Sequence, residues 1–171
     1  EPASELLKKI KTEKDKLIKE GKIRKEKPLA PINDEEKPYE LPKGWEWVRL
    51  GEVILSDIGG GTPSKNKKDY WNGGIPWASV KDLNEDTFLT KTQDNISELG
   101  LKNSSSNLIP KNNLIICTRM GLGKILFNKI DVAINQDLRA MFLPKNMEQF
   151  YFYYFYKTLS FIHSGTTVSG I

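Results

Sequence analysis

Apolar residues first recur at Ala3, Leu7, Ile10 and Leu17, and Lys14 takes the one seam position left between them. Outside that stripe the segment from residue 2 to about 20 is mostly lysine. The spacing predicts a helix with a narrow apolar seam, closer to a coiled coil than to the face of a globular core. Pro2 suits its first turn, where a missing N–H costs nothing, and Gly21 ends it. Such a helix is marginal alone in water, so it requires a partner helix from a longer chain or from another subunit. Next, Pro28, Pro31 and Pro38 with Asp34-Glu35-Glu36 deny regular structure to residues 28–41, which read as a linker. Beyond residue 42 the periodicity is mixed. Residues 75–80 and 114–118 read as short strands, and 124–128, 132–134 and 138–143 continue that pattern between turn residues. Residues 95–101 predict a short helix. Residues 146–162 predict a longer one, with Asn146 as cap and Gln149 completing a capping box. The pattern is that of an α+β domain preceded by a long coiled-coil-type helix. It divides into a helix at 1–27, a linker at 28–41 and a globular part at 42–171.

Length and cysteine content narrow the setting. A chain of 171 residues fits one ordinary domain with an appendage. Cys117 is the only cysteine, which excludes an internal disulfide framework and fits a reducing, cytoplasmic compartment. No run of 18 apolar residues is present, so no membrane span is expected. The first residue is Glu1 instead of methionine, as in a piece of something longer. Net charge is only +4, from 26 basic and 22 acidic residues, too little by itself to establish nucleic-acid binding. Distribution says more. Between residues 6 and 27 there are ten Lys or Arg against four acids, Lys65, Lys67 and Lys68 cluster, and residues 82–98 are acidic. Such a field suits a DNA duplex laid against one face, and equally a solvated lysine-rich surface.

The segment Gly59-Gly60-Gly61-Thr62-Pro63-Ser64-Lys65 is the richest in candidate chemistry. Three glycines in a row let a backbone approach a partner closely or take positive φ. Thr62, Ser64, Lys65, Asn66, Lys67 and Lys68 then offer donors suited to phosphate oxygens, between Tyr70, Trp71 and Trp77 as rigid surfaces. The reading is a mobile loop that holds a polyanion. Covalent chemistry finds little support. Gly121-Leu122-Gly123-Lys124 lacks the first glycine and the Ser or Thr of a phosphate-binding loop, and a tight turn between strands explains it better. Glu35-Glu36-Lys37 resembles part of a nuclease site but lies in the linker. A single histidine, His163, and a single cysteine in an apolar strand make neither a metal cluster nor an evident nucleophile couple. The run from Phe150 to Tyr156 points all round a helix, so it reads mainly as core, with the tyrosine hydroxyls at the edge. Trp45, Trp47, Trp71 and Trp77 read mostly as packing.

With those residues in hand, the chain resembles the specificity subunit of a type I restriction–modification enzyme. Glu1-Pro2-Ala3-Ser4-Glu5-Leu6-Leu7 resembles the start of its spacer helix, and Leu41-Pro42-Lys43-Gly44-Trp45-Glu46-Trp47 with Leu50-Gly51-Glu52 the opening of a target recognition domain. The glycine loop through Trp77, the stretch from Ile116 to Gly123, the pair Asn135-Gln136 and Gly165-Thr166-Thr167 fall in the family's order. The resemblance implies a mixed-sheet recognition domain that reads one half of a split DNA target and has no catalytic role of its own. It implies methyltransferase and restriction subunits as partners, with S-adenosylmethionine on the methyltransferase and no cofactor in this chain. The spacer helix, through Ala3, Leu7, Ile10 and Leu17, would meet its missing half or a second copy. The chain stops before the family's proline-rich segment and closing helix, as a fragment or a natural half-subunit would.

For DNA contact the expected residues are Gly60, Gly61, Thr62, Ser64, Lys65, Asn66, Lys67 and Lys68, the lysines toward phosphates. Ser79, Lys81, Arg119, Asn135, Gln136 and Arg139 are candidates for base edges, Arg and Lys suiting guanine and Asn and Gln suiting adenine. Asn135-Gln136 reads equally as a polar turn. Lys124, Gly165, Thr166 and Thr167 complete the set. The competing function is a protein-interaction or assembly module acting through the N-terminal helix, which salt-dependent binding to a duplex would separate from DNA reading. A third possibility, an enzyme using Cys117 and His163, finds no support in the spacing.

Overall fold

A computed structural model describes residues 1–84 and 87–159. The chain divides into two compact units: residues 1–56 with 142–146, and residues 57–141 with the described residues from 147 onward.

In the first unit the expected helix, α1 (Ala3–Lys19), is followed by Gly21 at φ +67°. Its seam is not bare. Ile10 is 1% exposed, Ala3, Leu7 and Leu17 are half-buried, and α1 packs on the four-residue helix α2 (Leu50–Val53). Lys14 donates from Nζ to the Gly51 carbonyl at 2.6 Å, and burial lowers its pKa. Part of the partner that the stripe requires therefore comes from this chain. That bond joins residues 37 positions apart, which a helical period cannot reveal. In residues 28–41 the only regular piece is one turn, Asp34–Glu36. Arg49 fastens that segment by a fork onto Glu36 at 2.6 and 2.8 Å and by bonds to the carbonyls of Ala30 and Pro31. Glu36 is thereby engaged in structure. Trp47 meets the Tyr39 ring edge-on at 5.0 Å, whereas Trp45 is 66% exposed, against the packing role expected of it.

The described strands are β1 (Ser56–Gly59), β2 (Trp71–Ala78), β3 (Phe88–Leu89), β4 (Asp94–Ile96) and β5 (Asn107–Ile109). They continue as β6 (Leu114–Cys117), β7 (Ile125–Asn128), β8 (Val132–Ile134) and β9 (Leu138–Phe142). Five form a sheet in the order β1-β9-β6-β7-β3, and four form another in the order β4-β2-β8-β5. Both are mixed: β3–β7 and β2–β8 run parallel, while β2–β4, β5–β8, β6–β7 and β6–β9 run antiparallel. The α+β class with mixed sheets is as expected.

Strands β6 and β7 are buried at every position, which is why they read as apolar runs without alternation, broken only by the buried, hydrogen-bonded Asn128. Helix α4 (Gln149–Thr158) packs on β7, the Phe127 ring lying 4.8 Å from Phe150 and 5.4 Å from Tyr153. At 100° per residue only one face of α4 reaches the sheet. Phe152, Tyr153 and Tyr156 are buried, and Phe150, Tyr151, Tyr154 and Phe155 are exposed, so core packing covers part of the aromatic run. Tyr153 Oη reaches Thr87 at 3.3 Å. Beneath the other sheet Trp77, Ile96 and Ala133 form a cluster, against which Trp71, Ile75 and Leu101 pack.

Two expected helices are corrected. Residues 95–101 split, because Ile96 is fully buried in β4 and Ser97 then caps a short helix α3 (Glu98–Lys102), its Oγ accepting from Gly100 N at 3.0 Å. The cap of α4 is Glu148, not Asn146: the chain is still extended at Glu148, whose carboxylate accepts from Phe150 N at 3.4 Å.

Candidate nucleic-acid interface

The glycine triplet serves the fold before it serves any ligand. Neither Gly60 nor Gly61 has positive φ. A Cβ on Gly60 would overlap the carbonyl oxygen of Ile134, and one on Gly61 would overlap Ser105 Oγ. Gly61 N donates to Ile134 O at 3.0 Å, and its own carbonyl accepts from Trp77 Nε1 at 3.1 Å and from Ser106 Oγ at 2.5 Å. The close approach expected toward DNA is an approach to β8 and to the serines before β5. The loop that follows is bonded to the chain at several points. Trp71 Nε1 donates to Ser64 O at 3.1 Å, Lys67 N to Ser64 O at 3.2 Å, and Ser97 Oγ to Asp69 O at 2.6 Å.

Beside this loop opens a cleft of about 500 Å³. Six residues named from sequence line it: Thr62, Lys65, Ser79, Lys81, Asn135 and Gln136. Six others join them: Trp71, Trp77, Val80, Asp94, Met120 and Asp137. Within the cleft, a floor and a rim differ in how far the chain itself satisfies their polar groups.

The floor is satisfied. Ser79 is 8% exposed; its backbone N donates to Asp82 Oδ2 at 2.9 Å, and its hydroxyl caps the turn Val80–Asp82 by accepting from Lys81 N. Asn135 is 5% exposed and sits in a side-chain turn. Its Oδ1 accepts from Asp137 N at 3.0 Å, and its Nδ2 donates to Asp137 Oδ2 at 3.0 Å. For Ser79 and Asn135, burial and internal bonds leave little of either side chain to offer a base edge. Of the two readings open for Asn135-Gln136, the polar turn holds for Asn135.

The rim is different. Lys65, Lys81 and Gln136 are exposed, and Thr62 Oγ1 donates to Gln136 Oε1 at 2.5 Å. That bond engages the amide oxygen, and among the described residues the amide N–H donors have no partner. Met120 is 73% exposed at the edge. Ser64, Asn66, Lys67 and Lys68 are exposed on the same loop but outside the cleft, where they extend its donor-rich margin.

The turn between β6 and β7 carries Arg119 and Lys124. Gly121 and Gly123 take φ +94° and +88°, and Lys124 N bonds Gly121 O at 3.3 Å, the tight turn that the sequence suggested. Arg119 has a side chain 57% exposed, with Nε 3.7 Å from Asp137 Oδ1, a loose pair that leaves most of its fork accessible. Arg139 is placed otherwise. It lies on β9 outside the cleft with Nε 2.5 Å from Asp57 Oδ1, so its guanidinium already has a carboxylate partner. Cys117 is buried, its thiol donates to Met120 O, and burial raises its pKa, the opposite of an activated nucleophile. Gly165, Thr166, Thr167 and His163 lie outside the described residues. Among the described residues no group of three or more His, Cys, Asp or Glu is placed to hold a metal, and no helix is long and apolar enough to cross a membrane.

The lining residues that sequence reading missed are chiefly Asp94 and Asp137. Asp137 had a signal, since Asn-x-Asp is a common side-chain turn. Asp94 had none, because it stands in the acidic stretch that the charge pattern set apart from DNA.

Known proteins bear on this geometry. Residues 42–171 match the family described as type I restriction modification DNA specificity domain. The chain is similar to the type I restriction enzyme EcoEI specificity subunit of Escherichia coli, 46% identical over 95 residues, which cover 56% of this chain and 16% of that protein. The EcoR124I/EcoR124II specificity subunit of Escherichia coli is 41% identical over 114 residues, 64% of this chain and 28% of that one. The MjaIX specificity subunit of Methanocaldococcus jannaschii is 31% identical over 135 residues, 76% and 30%. The chain thus spans less than a third of each of these relatives. The HsdS subunit of Thermoanaerobacter tengcongensis superposes with a TM-score of 0.52 at 20% identity, over 90% of this chain and 34% of that one. A chain from a type I R-M system, solved for its complex assembly and conformational transition, gives 0.55 at 21% identity, over 91% and 35%. At these identities the superpositions speak for the fold. The chain belongs to the type I restriction modification DNA specificity domain family.

Proposed function

We infer that residues 42–171 form a target recognition domain that reads one half of a bipartite duplex sequence, seated across the rim of the cleft. The observation that carries this reading is the coincidence of the DNA specificity family match with a cleft rim whose lysines and Gln136 amide are exposed. In it Lys65, Lys67 and Lys68 hold phosphates, which gives affinity and register without sequence choice. Gln136, Lys81 and Arg119 stand nearest to where base edges would lie. The exposed N–H donors of Gln136 suit acceptors such as adenine N7 or guanine O6 and N7.

Within a specificity subunit, α1 acts as the spacer helix, which ends at Lys19 and not at residue 27, and residues 28–41 act as the linker to the recognition domain. Its remaining apolar surface, at the half-buried Leu7 and Leu17, is free to meet a second helix. Methyltransferase and restriction subunits would assemble around the DNA-bound subunit in the cytoplasm, the methyltransferase supplying S-adenosylmethionine. This chain would choose the site, and the chemistry would be theirs. The test is selection from a randomised duplex library by the protein assembled with its methyltransferase partner. An enriched half-site is expected; a pool returned without bias contradicts the reading.

A further inference from the structure

Three carboxylates stand in or beside the cleft, and two are engaged. Asp82 accepts from Ser79 N at 2.9 Å and from Gln93 N at 2.8 Å. Asp137 accepts from Asn135 Nδ2 at 3.0 Å and faces Arg119. Asp94 differs from both. Its side chain lines the cleft half-exposed, and among the described residues no hydrogen bond or ion pair reaches its carboxylate. Its backbone, by contrast, is firmly placed. Asp94 opens β4 directly opposite Trp77 of β2, so the two side chains share one face of the sheet. Thr92 Oγ1 donates to the Asp94 carbonyl at 2.8 Å. A carboxylate held on a strand, with nothing bonded to it, is preorganised for an incoming donor.

A polyanion closing over this cleft would repel such a group and strip its water, at a cost that only a hydrogen-bond donor offsets. The phosphate backbone has no donor. In the major groove the donors are the exocyclic amino groups, cytosine N4 and adenine N6. We propose that Asp94 is a specificity-determining residue that accepts a hydrogen bond from the exocyclic amino group of one base in the target. This rests on the DNA-reading function above and deepens it, because it gives an acidic group, in the one stretch that charge set against DNA, a defined place in recognition.

Selection from the same randomised library, by wild type and by Asp94→Asn, each assembled with the methyltransferase partner, decides it. Asp94→Asn keeps shape while replacing one acceptor oxygen by a donor. The expected result is that a single base pair loses its preference, or passes from cytosine to adenine, while the other positions keep theirs. A loss of roughly 5- to 150-fold in discrimination at that pair is expected. Wild-type binding to a duplex carrying an analogue without the amino group at that position, pyrimidin-2-one for cytosine or purine for adenine, should fall by a similar factor. It also tells the two bases apart without any variant protein. An unchanged profile with a uniform gain in affinity for Asp94→Asn would show that Asp94 only repels phosphate, and would overturn the proposal. A wild-type selection without bias would instead remove the DNA-reading function itself.

Discussion

The floor and the rim of one cleft carry similar polar groups, Ser79 and Asn135 against Thr62 and Gln136, for opposite reasons. Ser79 and Asn135 form a floor bonded within the chain, just as Gly60 and Gly61, outside the lining, are packed within it against Ile134 and Ser105. Thr62, Lys65, Lys81, Asp94 and Gln136 form a rim on which charges and amide donors face outward. Chemistry suited to DNA, written along a sequence, thus separates into groups that build the site and groups left over to use it. Substitutions in the two regions should therefore fail in different ways.

The largest effect belongs to the groups engaged within the chain. Gly60→Ala forces a Cβ against the Ile134 carbonyl, a backbone atom that cannot turn aside, and should cost about 3 kcal/mol or more. Gly74, with nothing within 4 Å of its would-be Cβ, should accept alanine with little change. Urea midpoints measure both. A Gly60→Ala protein of full stability and reduced DNA affinity would move the triplet into the interface. Next comes Asn135→Ala, expected to cost about 1–3 kcal/mol of stability, since Asp137 N is left without its acceptor. Gln136→Ala should leave the stability obtained from urea unfolding within about 0.5 kcal/mol of wild type and instead relax base preference. Equal stability losses in the two variants would erase the distinction between floor and rim. Arg119→Ala should relax preference at a definite base pair, as a loosely paired, exposed fork permits. Equal losses on cognate and random duplexes would assign it to phosphates.

The smallest effect is a pH dependence. Burial raises the Cys117 thiol above its unfolded value, so its contribution to stability is complete below about pH 8.5 and is lost as pH rises through the folded pKa. Tyr156, also raised by burial, adds a loss of the same sign at higher pH. Stability should decline gently into the alkaline range, and Cys117→Ala should flatten the first part of that decline.

What the sequence made legible follows from which forces are local. Strands β6 and β7 are written as apolar runs, Asn128 apart, because burial at every position leaves no alternation. The turn at Gly121 and Gly123 is written in its glycines because positive φ is a local need. Gly60 and Gly61 look the same on paper, yet their reason lies at Ile134 and Ser105, far along the chain. Short strands such as β4, whose partner is set by tertiary pairing with β2, carry too few residues to show a period. The cap at Glu148 in place of Asn146 shows the same limit at a helix boundary. Half of the cleft was named in advance: Thr62 and Lys65 because donors follow the glycine triplet, and Ser79, Lys81, Asn135 and Gln136 because their polar groups suit base edges. Asp94 was missed because its function depends on having no partner, which no sequence records.

The claim that DNA lies along the rim is tested most directly by salt. Replacing Lys65, Lys67 and Lys68 together by alanine should flatten the slope of log affinity against log salt on a duplex. The expected decrease is roughly 0.9 for each phosphate that the protein no longer neutralises. Affinity should weaken evenly across sequences, with base preference retained. A slope identical to that of the wild-type protein would take this loop out of the interface and contradict the account.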